Sequence, residues 1–227
     1  MAILAIDTSN SSGSIAIMKN KELLFSSFFN IKITHSETLM PEIARALELC
    51  NLMPENISSI AIAIGPGSFT GLRIGLATAK GFSFARKIPI VPISSLKIVA
   101  MNYYNCGKDI LVVQDAKMKE VYIALYSSQL QEIISPRCVA PEEIIELINA
   151  PAIAIGTGLA LYQESLLKNN LIEINTLPEK NYSKAESIFS ILYLENINPS
   201  FDFEATSKLE PYYIRKSQAE VSRKQKL

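Results

Sequence analysis

The sequence predicts an α/β fold with two related lobes, and three observations carry this prediction. Short apolar runs separated by turn residues open the chain, which is typical of a strand meander. Helical and strand patterns then alternate, and a looser copy of the same order begins near Asp109. No low-complexity linker separates the two copies, so the join near residues 103–108 is a hinge at most.

The first lobe is predicted over residues 1–104 and begins with three strands. Apolar runs at residues 3–6, 14–18 and up to Phe29 alternate with polar and turn residues. A helix is predicted over residues 35–51, because its apolar side chains recur on one face. These side chains are Leu39, Met40, Ile43, Leu47 and Cys50.

The rest of the first lobe alternates strands with helices. The continuous apolar run at residues 60–64 is typical of a strand buried on both faces. Residues 69–86 contain no proline and have the length of a helix. A strand at 89–93 follows, and Ser94 and Ser95 are suited to begin a helix that continues to about Tyr104.

The second lobe is predicted over residues 105–200, and residues 201–227 form a tail that partly packs back and is then flexible. The predicted strands cover residues 110–113, 121–126, 133–134 and 152–155. The predicted helices cover residues 141–148, 159–167 and 183–194. The tail is polar and ends in basic residues, so its end is expected to fray.

Composition limits the kinds of function. The chain has 227 residues, 48% of them hydrophobic, which is enough for a sizeable core. Lys and Arg number 22, as do Asp and Glu, so no basic excess would hold nucleic acid unaided. Cys50, Cys106 and Cys138 are too widely spaced for a disulfide framework or a zinc site. With no signal peptide and no membrane span in the sequence, we expect a cytoplasmic protein that does not bind membranes.

The loop after the first strand is a candidate nucleotide site. Asp7 ends a buried strand, and Thr8, Ser9, Ser11 and Ser12 follow it. Such hydroxyls, with a glycine behind them, could approach the phosphates of ATP. The alternative is a hydroxyl-rich hairpin in which Asp7 bonds only to local backbone amides.

The glycine-rich segment from Gly65 to Gly71 lies between a buried strand and a helix. Amides at a helix N-terminus favour an anion there. The segment fits neither nucleotide fingerprint, because Thr70 stands where a Rossmann motif needs glycine and no Gly-Lys-Ser/Thr ends the loop. A tight strand-to-helix connection is the alternative.

A strip of small residues follows on that helix. Gly71, Gly75 and Ala79 are spaced four apart on one face. Each interior glycine costs about 1 kcal/mol relative to alanine, so close packing against the strip must offset this cost. The neighbour is either a partner protein or the core of this chain, and the sequence leaves both open. Leu72, Arg73, Leu76 and Lys80 add a mixed apolar and basic face beside it.

The sequence lacks the residue patterns that hydrolytic enzymes need. His35 is the only histidine, and Leu39 stands where a metal-binding pair on a helix would need the second. The sequence contains no Gly-x-Ser-x-Gly motif. His35 is therefore expected to cap a helix or lie in an interface. Asp115 and Glu120 are expected in a solvated hairpin turn.

These segments, in this order, resemble the TsaB (YeaZ) family of tRNA threonylcarbamoyladenosine biosynthesis partner proteins. The glycine-rich block is highly specific, and the likeness is diffuse from about Pro136 to Ala205. The matching stretches are residues 3–9, His35-Ser36-Glu37 with Leu39 and Pro41, residues 65–75, Asp115-Ala116 with Glu120-Val121-Tyr122, Gly156-Thr157-Gly158 and residues 211–215.

The resemblance implies an actin-like ATPase (ASKHA, ribonuclease H-like) fold with mixed sheets flanked by helices. It further implies a vestigial nucleotide loop at Asp7, Thr8, Ser9 and Ser12, with no catalytic residue, metal or cofactor in this chain; any ATP is left to the complex. TsaD is the implied partner, TsaE joins the larger complex, tRNA is contacted indirectly, and a homodimer forms when the chain is alone.

In that family the first two helices form the interface. This implies a partner surface made of His35, Leu39, Met40, Ile43, Leu47, Phe69, Thr70, Gly71, Leu72, Arg73, Gly75, Leu76 and Ala79. The alternative to a scaffold role is an ATP-dependent phosphotransferase or ATPase that uses Asp7 and its hydroxyl loop. A peptidase is a third interpretation, and its metal ligands are missing.

Overall fold

A mixed five-stranded sheet organises the first lobe in the computed structural model, which describes residues 1–31 and 33–215. Its strands are β1 (Ala2–Asp7), β2 (Gly13–Lys19), β3 (Glu22–Phe29), β4 (Ile57–Gly65) and β5 (Ile90–Ser94), in the order β3-β2-β1-β4-β5. β2 pairs antiparallel with β1 and β3, whereas β4 pairs parallel with β1 and β5. The parallel central strands are apolar on both faces because helices cover both sides.

Two long helices, α1 (His35–Leu49) and α2 (Phe69–Arg86), cover one face of this sheet and contact each other. The Glu37 carboxylate accepts a hydrogen bond from the Thr34 amide at the start of α1 (3.3 Å). Ser68 caps α2, since its hydroxyl accepts from the Gly71 amide (3.2 Å). The apolar face predicted for the first helix packs into this core, with Leu39, Ile43 and Leu47 buried against β1 and β2.

The second sheet repeats the plan of the first. Its strands are β6 (Asp109–Lys117), β7 (Glu120–Tyr126), β8 (Glu132–Val139), β9 (Ala152–Ile155) and β10 (Ile172–Ile174). The order β8-β7-β6-β9-β10 and the pairing directions match those of the first sheet. The predicted duplication is confirmed. β10 was not predicted, because a strand of three residues is too short to show a periodic pattern.

Two helices cross between the lobes. α3 (Ser95–Ala100) follows β5, yet Leu96 and Val99 pack with Val112 and Ala124 of the second sheet. α6 (Ala185–Leu194) lies in the second half of the chain, yet Ile188 packs on the first sheet. The cores of the two lobes are therefore joined through α3 and α6, and the division at residues 104 and 200 stays a prediction.

The remaining elements are short. The predicted helix at 141–148 is a 3-10 turn, Pro141–Glu143, followed by one turn of helix, α4 (Ile144–Leu147). α5 (Leu159–Leu166) agrees with its predicted bounds. The tail contains a helix that was not predicted, α7 (Phe203–Lys208), which packs on α2. The predicted flexible end falls on residues 216–227, outside the described residues.

No helix in the described part of the chain has the length and apolar character needed to cross a bilayer.

Candidate functional site

Three of the four hydroxyl residues in the loop after β1 are packed inside the first lobe, and the fourth, Ser11, is exposed. Asp7, Thr8 and Ser9 are at most 1% exposed, and Ser12 is also buried. One oxygen of Asp7 accepts from the Ser9 amide (2.8 Å), and the Thr8 hydroxyl donates to the Gly71 carbonyl (2.8 Å). The other Asp7 oxygen, Oδ2, is buried and has no hydrogen-bond partner among the described residues. The loop thus forms the local hairpin bonds that were one of the two predicted alternatives.

The glycine-rich segment and α2 pack directly on this loop. The Ser68 amide donates to the Ser9 carbonyl (2.6 Å). A Cβ on Gly71 would overlap the Thr8 carbonyl oxygen, and a Cβ on Gly75 would overlap the Thr8 hydroxyl. The strip of small residues therefore serves close packing within this chain, which answers the question that the sequence left open.

His35 belongs to the same buried contact. Its Nε2 lies 2.6 Å from the Asn10 carbonyl oxygen, and the ring is near Phe29. Added Cβ atoms on Gly13 and Gly71 would both lie within 3.2 Å of the imidazole. His35 thus joins the β1 loop to the starts of both helices from inside the lobe.

These contacts correct most of the predicted partner surface. The apolar face of each helix covers the sheet of the first lobe. Residues that were predicted to face a partner are therefore buried inside the lobe. The residues corrected in this way are His35, Leu39, Ile43, Leu47, Gly71, Leu72, Gly75, Leu76 and Ala79. Met40, Phe69, Thr70 and Arg73 remain accessible, and their role in an interface stays a prediction.

The opposite faces of the two helices are exposed, and only Met40 among their residues was part of the predicted partner surface. On α2, Ala77, Gly81 and Phe84 are exposed, and a Cβ on Gly81 would meet nothing within 4 Å. On α1, Met40 and Leu49 are 48% and 59% exposed. The signal was a second set of small and apolar residues that lies off the buried face. We call the set Met40, Pro41, Ala44, Leu49, Ala77, Gly81 and Phe84 the outer helix face.

A cleft of about 830 Å³ opens between the lobes. Asn10, Ser11 and the start of α2 line it from the first lobe, while the end of β6 and the start of α5 line it from the second. The second lobe repeats the glycine geometry of the first: Gly65 and Gly156 have φ of 120° and 117°. A Cβ on Gly156 would overlap the Val113 carbonyl oxygen, so the chain approaches β6 as closely as it approaches β1.

Gln114 is the most unusual residue of the cleft. It lies at the end of β6 and lines the cleft, yet it is only 1% exposed. Neither Oε1 nor Nε2 of its amide has a hydrogen-bond partner among the described residues. Nearly all buried polar atoms in proteins have a hydrogen-bond partner, so a side-chain amide with neither atom bonded is unusual.

The cations of the cleft are neutralised locally. Lys117 pairs with Asp115 (2.6 Å), and Arg215 pairs with Glu120 (2.7 Å). Among the described residues, Lys117 and Arg215 are the cations that line the cleft. Thr8, Ser9 and Ser12 of the hydroxyl loop are buried, whereas Ser11 is exposed and lines the cleft. Asp115 and Glu120 lie in the β6–β7 hairpin, as predicted, and both are held in ion pairs.

The segment from Pro211 to Arg215 connects the lobes along the rim of the cleft. The Tyr212 amide donates to the Ile64 carbonyl at the end of β4 (2.7 Å). The Tyr213 ring packs on Phe69 at 4.7 Å, and its hydroxyl accepts from Arg73 (2.9 Å). Arg215 reaches the β6–β7 hairpin through Glu120. The segment therefore packs on both lobes.

Burial raises the pKa of two groups beside the β6–β7 hairpin, the Cys138 thiol and the Tyr122 hydroxyl. The pKa of the Cys138 thiol rises to about 11, first because it is desolvated and then because Glu120 lies nearby; Arg215 opposes the shift. The pKa of Tyr122 also rises, mainly through burial. Both groups are thus protonated at neutral pH, and Cys138 is a poor nucleophile.

Two sheets with the same strand order around a cleft define an actin-like ATPase-fold protein. The ROK hexokinase from Thermus thermophilus has this fold and superposes on the chain with a TM-score of 0.50 at 12% identity. The superposition covers 87% of this chain and 100% of the hexokinase chain. YeaZ from Pseudomonas aeruginosa superposes with a TM-score of 0.77 at 24% identity, over 93% of this chain and 99% of that one.

Sequence comparison then gives the family. A family model described as TsaD, tRNA N6-adenosine threonylcarbamoyltransferase, matches residues 30–219. The tRNA threonylcarbamoyladenosine biosynthesis protein TsaB of Bacillus subtilis is 31% identical over 172 residues, which cover 73% of this chain and 75% of that protein. The chain belongs to the family that this model describes and, within it, to the TsaB (YeaZ) proteins.

Proposed function

We propose that this chain takes part in tRNA threonylcarbamoyladenosine biosynthesis as the non-catalytic partner of a TsaD threonylcarbamoyltransferase. Its relatives are named for this pathway, and the matching family model is that of the transferase. In the proposed complex TsaD transfers the threonylcarbamoyl group, and this chain supports TsaD and contacts tRNA only indirectly. The predicted cytoplasmic location stays a prediction.

The observation that carries the proposal is the outer helix face. Its small residues, Ala77 and Gly81, would let a partner helix approach α2 closely, and Met40, Leu49 and Phe84 provide exposed apolar area around them. An apolar centre of this kind is typical of the buried core of a stable protein interface. It is less suited to a helix face that stays in contact with water. We place TsaD on this face, a second copy of the chain on the same face in the absence of TsaD, and TsaE as a later addition.

The scaffold role is favoured over catalysis by the contacts around the cleft. The Thr8 hydroxyl donates to Gly71, and Ser9 is buried against the glycine-rich segment before α2. Lys117 and Arg215 are already held in ion pairs. One observation favours the alternative of an ATP-dependent enzyme, namely the unpaired Oδ2 of Asp7 at the end of β1. A buried carboxylate oxygen of this kind is a feature of active sites as well as of strained loops.

A mixing experiment by size-exclusion chromatography with light scattering tests the scaffold role. The wild-type chain should form a one-to-one complex with TsaD. Gly81→Arg should abolish that complex while keeping the fold, because the position is open and arginine is a better helix former than glycine. Gln163→Arg, an exposed change on α5, is the matched control and should bind normally.

The alternative makes the opposite predictions. A chain that ignores TsaD but hydrolyses ATP, and loses that activity in Asp7→Asn, would replace the scaffold role with an enzymatic one. Under the scaffold role, Asp7→Asn leaves tRNA modification by the reconstituted complex nearly unchanged, provided circular dichroism shows an intact fold.

A further inference from the structure

A second cavity, of about 450 Å³, lies on the face of the first sheet that α6 covers. It is on the opposite side of that sheet from α1 and α2 and shares no lining residue with the cleft. The β2–β3 hairpin, the turn after α3, the 3-10 turn Pro178–Asn181 and α6 form its walls. Its volume lies in the range of roughly 300–1,000 Å³ found for small-molecule sites. The proposed function gives this cavity no role.

The apolar wall of the cavity consists largely of flexible side chains. Met18 and Leu23 are direct cross-strand neighbours on β2 and β3, and Leu23 is 50% exposed. Met101 and Phe189 complete the wall and pack in the core between the sheet and α6. Methionine side chains adapt to neighbours of different shape. The wall therefore suits an apolar group, which would cover Leu23.

The charges that line this cavity differ from those of the cleft. Lys21 and Lys180 line it, and neither forms an ion pair within the described part of the chain. Both cations of the cleft, in contrast, are held in ion pairs. Glu186 also lines the cavity, and its carboxylate accepts a hydrogen bond from the Ser26 hydroxyl. Two lysines against one glutamate leave an excess of positive charge, which favours an anion.

Both lysines are anchored beside the apolar wall. The Asn102 side-chain amide donates to the carbonyls of Lys180 and Tyr182 (2.9 Å each), which joins the two turns that line the cavity. The Lys180 ammonium in turn donates to the Asn102 carbonyl (3.3 Å). Lys21 lies in the β2–β3 turn with a φ of 67°, and its ammonium is 5.4 Å from the centre of the Tyr193 ring.

We propose that this cavity binds a small amphipathic anion, namely a carboxylic acid with an apolar body. The body packs on the apolar wall, and the lysine ammonium groups donate to the carboxylate in charge-assisted hydrogen bonds. The hydroxyls of Ser187 and Ser190 on α6 provide further donors. An aliphatic chain and an aromatic ring are the two sources of such a body. The site does not rest on the proposed function.

Isothermal titration calorimetry of the full chain with decanoate, kept below its micelle concentration, tests the site. One decanoate should bind per chain. Decylammonium, which has the same chain length and the opposite charge, should bind at least tenfold more weakly. Octanoate should bind about tenfold more weakly than decanoate, because two fewer methylenes are buried. Equal binding of decanoate and decylammonium would overturn the proposal, and so would a lack of saturable binding up to millimolar concentration.

A matched pair of lysines shows whether the cavity is the place of binding. Lys21→Glu should weaken decanoate binding at least tenfold. Lys119 precedes β7 as Lys21 precedes β3, has a φ of 63°, is exposed and does not line the cavity, so Lys119→Glu is the control. Equal effects of the two charge reversals would mean that decanoate binds elsewhere, which overturns the proposal. If Lys21→Glu lowers the melting temperature, Leu23→Gln decides, since it changes an exposed side chain of similar size; unchanged binding there contradicts the proposal.

A second acid distinguishes the two sources of the apolar body. Tighter binding of decanoate than of 2-naphthoate supports an aliphatic acid, and the reverse order supports an aromatic one. In either case the preferred acid must lose affinity in Lys21→Glu. A chain that binds the acid but ignores TsaD would remove the proposed function and leave this site standing. A chain that binds TsaD and neither acid keeps the proposed function and loses the site.

Discussion

Thr8 and Gly75 show how two small residues can fix the position of a whole helix. The Thr8 hydroxyl donates to the Gly71 carbonyl, and the missing side chain at Gly75 leaves room for that hydroxyl. The spacing of the glycines predicted a close approach. The sequence did not identify the neighbour, because Thr8 lies 63 positions before Gly71 along the chain.

Gly75 and Gly81 of α2 therefore make a matched pair. Gly75→Ala should destabilise the fold by about 1–3 kcal/mol, since its Cβ would push on Thr8 in a filled core. Gly81→Ala should stabilise it by about 1 kcal/mol, because the site is open and alanine is the better helix former. Urea denaturation measures both. Equal effects at the two positions would mean that the strip does not pack on β1.

Cys138 makes stability depend on pH at the alkaline end. Its pKa rises from an ordinary value of 9.0 to about 11 in the folded state, chiefly through burial. Between these values the unfolded chain releases the proton and the folded chain keeps it, so the free energy of unfolding falls as pH rises. Buried Tyr122 and Tyr126 add losses of the same sign at higher pH.

We expect Cys138→Ala to reduce the loss of stability between about pH 9 and 11. The measurement is urea denaturation at a series of pH values at constant ionic strength. Cys106 is exposed, so Cys106→Ala should leave the slope as in the wild type. A slope that is unchanged in Cys138→Ala would show that the thiol titrates normally in the fold.

At the scale of elements, α2 shows what periodicity can and cannot predict. Its bounds, residues 69–86, agree with the prediction, since the glycine turn before it and the absence of proline within it are local signals. Both of its faces carry small residues, Gly71 and Gly75 on one and Ala77 and Gly81 on the other. Periodicity identifies two such faces but not which one covers the sheet, so the predicted partner surface included residues that the lobe itself buries.

The start of α2 gives a prediction of its own. Ser68 accepts from the Gly71 amide, and its own amide bonds to the β1 loop. Ser68→Ala should cost about 0.5–2 kcal/mol through the lost cap, and Ser68→Asp should restore most of it. Thermal unfolding measures both. A silent Ser68→Ala would mean that the β1 contact alone determines where α2 begins.

At the scale of the whole molecule, the duplicated lobes were predictable and their exchange of helices was not. The order of strands and helices repeats along the chain, and the two sheets repeat it in space. The apolar face of a helix does not show which of two sheets it will cover. For this reason α3 and α6 were assigned to the lobes nearest to them in sequence. Gln114 was overlooked for a related reason: a glutamine at the end of a strand is ordinary until its burial is known.

The segment 211–215 gives the last prediction, because it holds the two lobes together at the cleft. A chain that ends at Glu210 lacks the Tyr212 bond to Ile64, the Tyr213 contact with Arg73 and the Arg215 pair with Glu120. Each lobe keeps its own sheet, so we expect an intact fold with a looser cleft. Amide hydrogen exchange should quicken at the start of α2 and in the β6–β7 hairpin, while the central strands exchange as before. A chain that ends at Arg215 keeps all three contacts and is the control. Equal exchange in the two chains would mean that α3 and α6 alone fix the lobes.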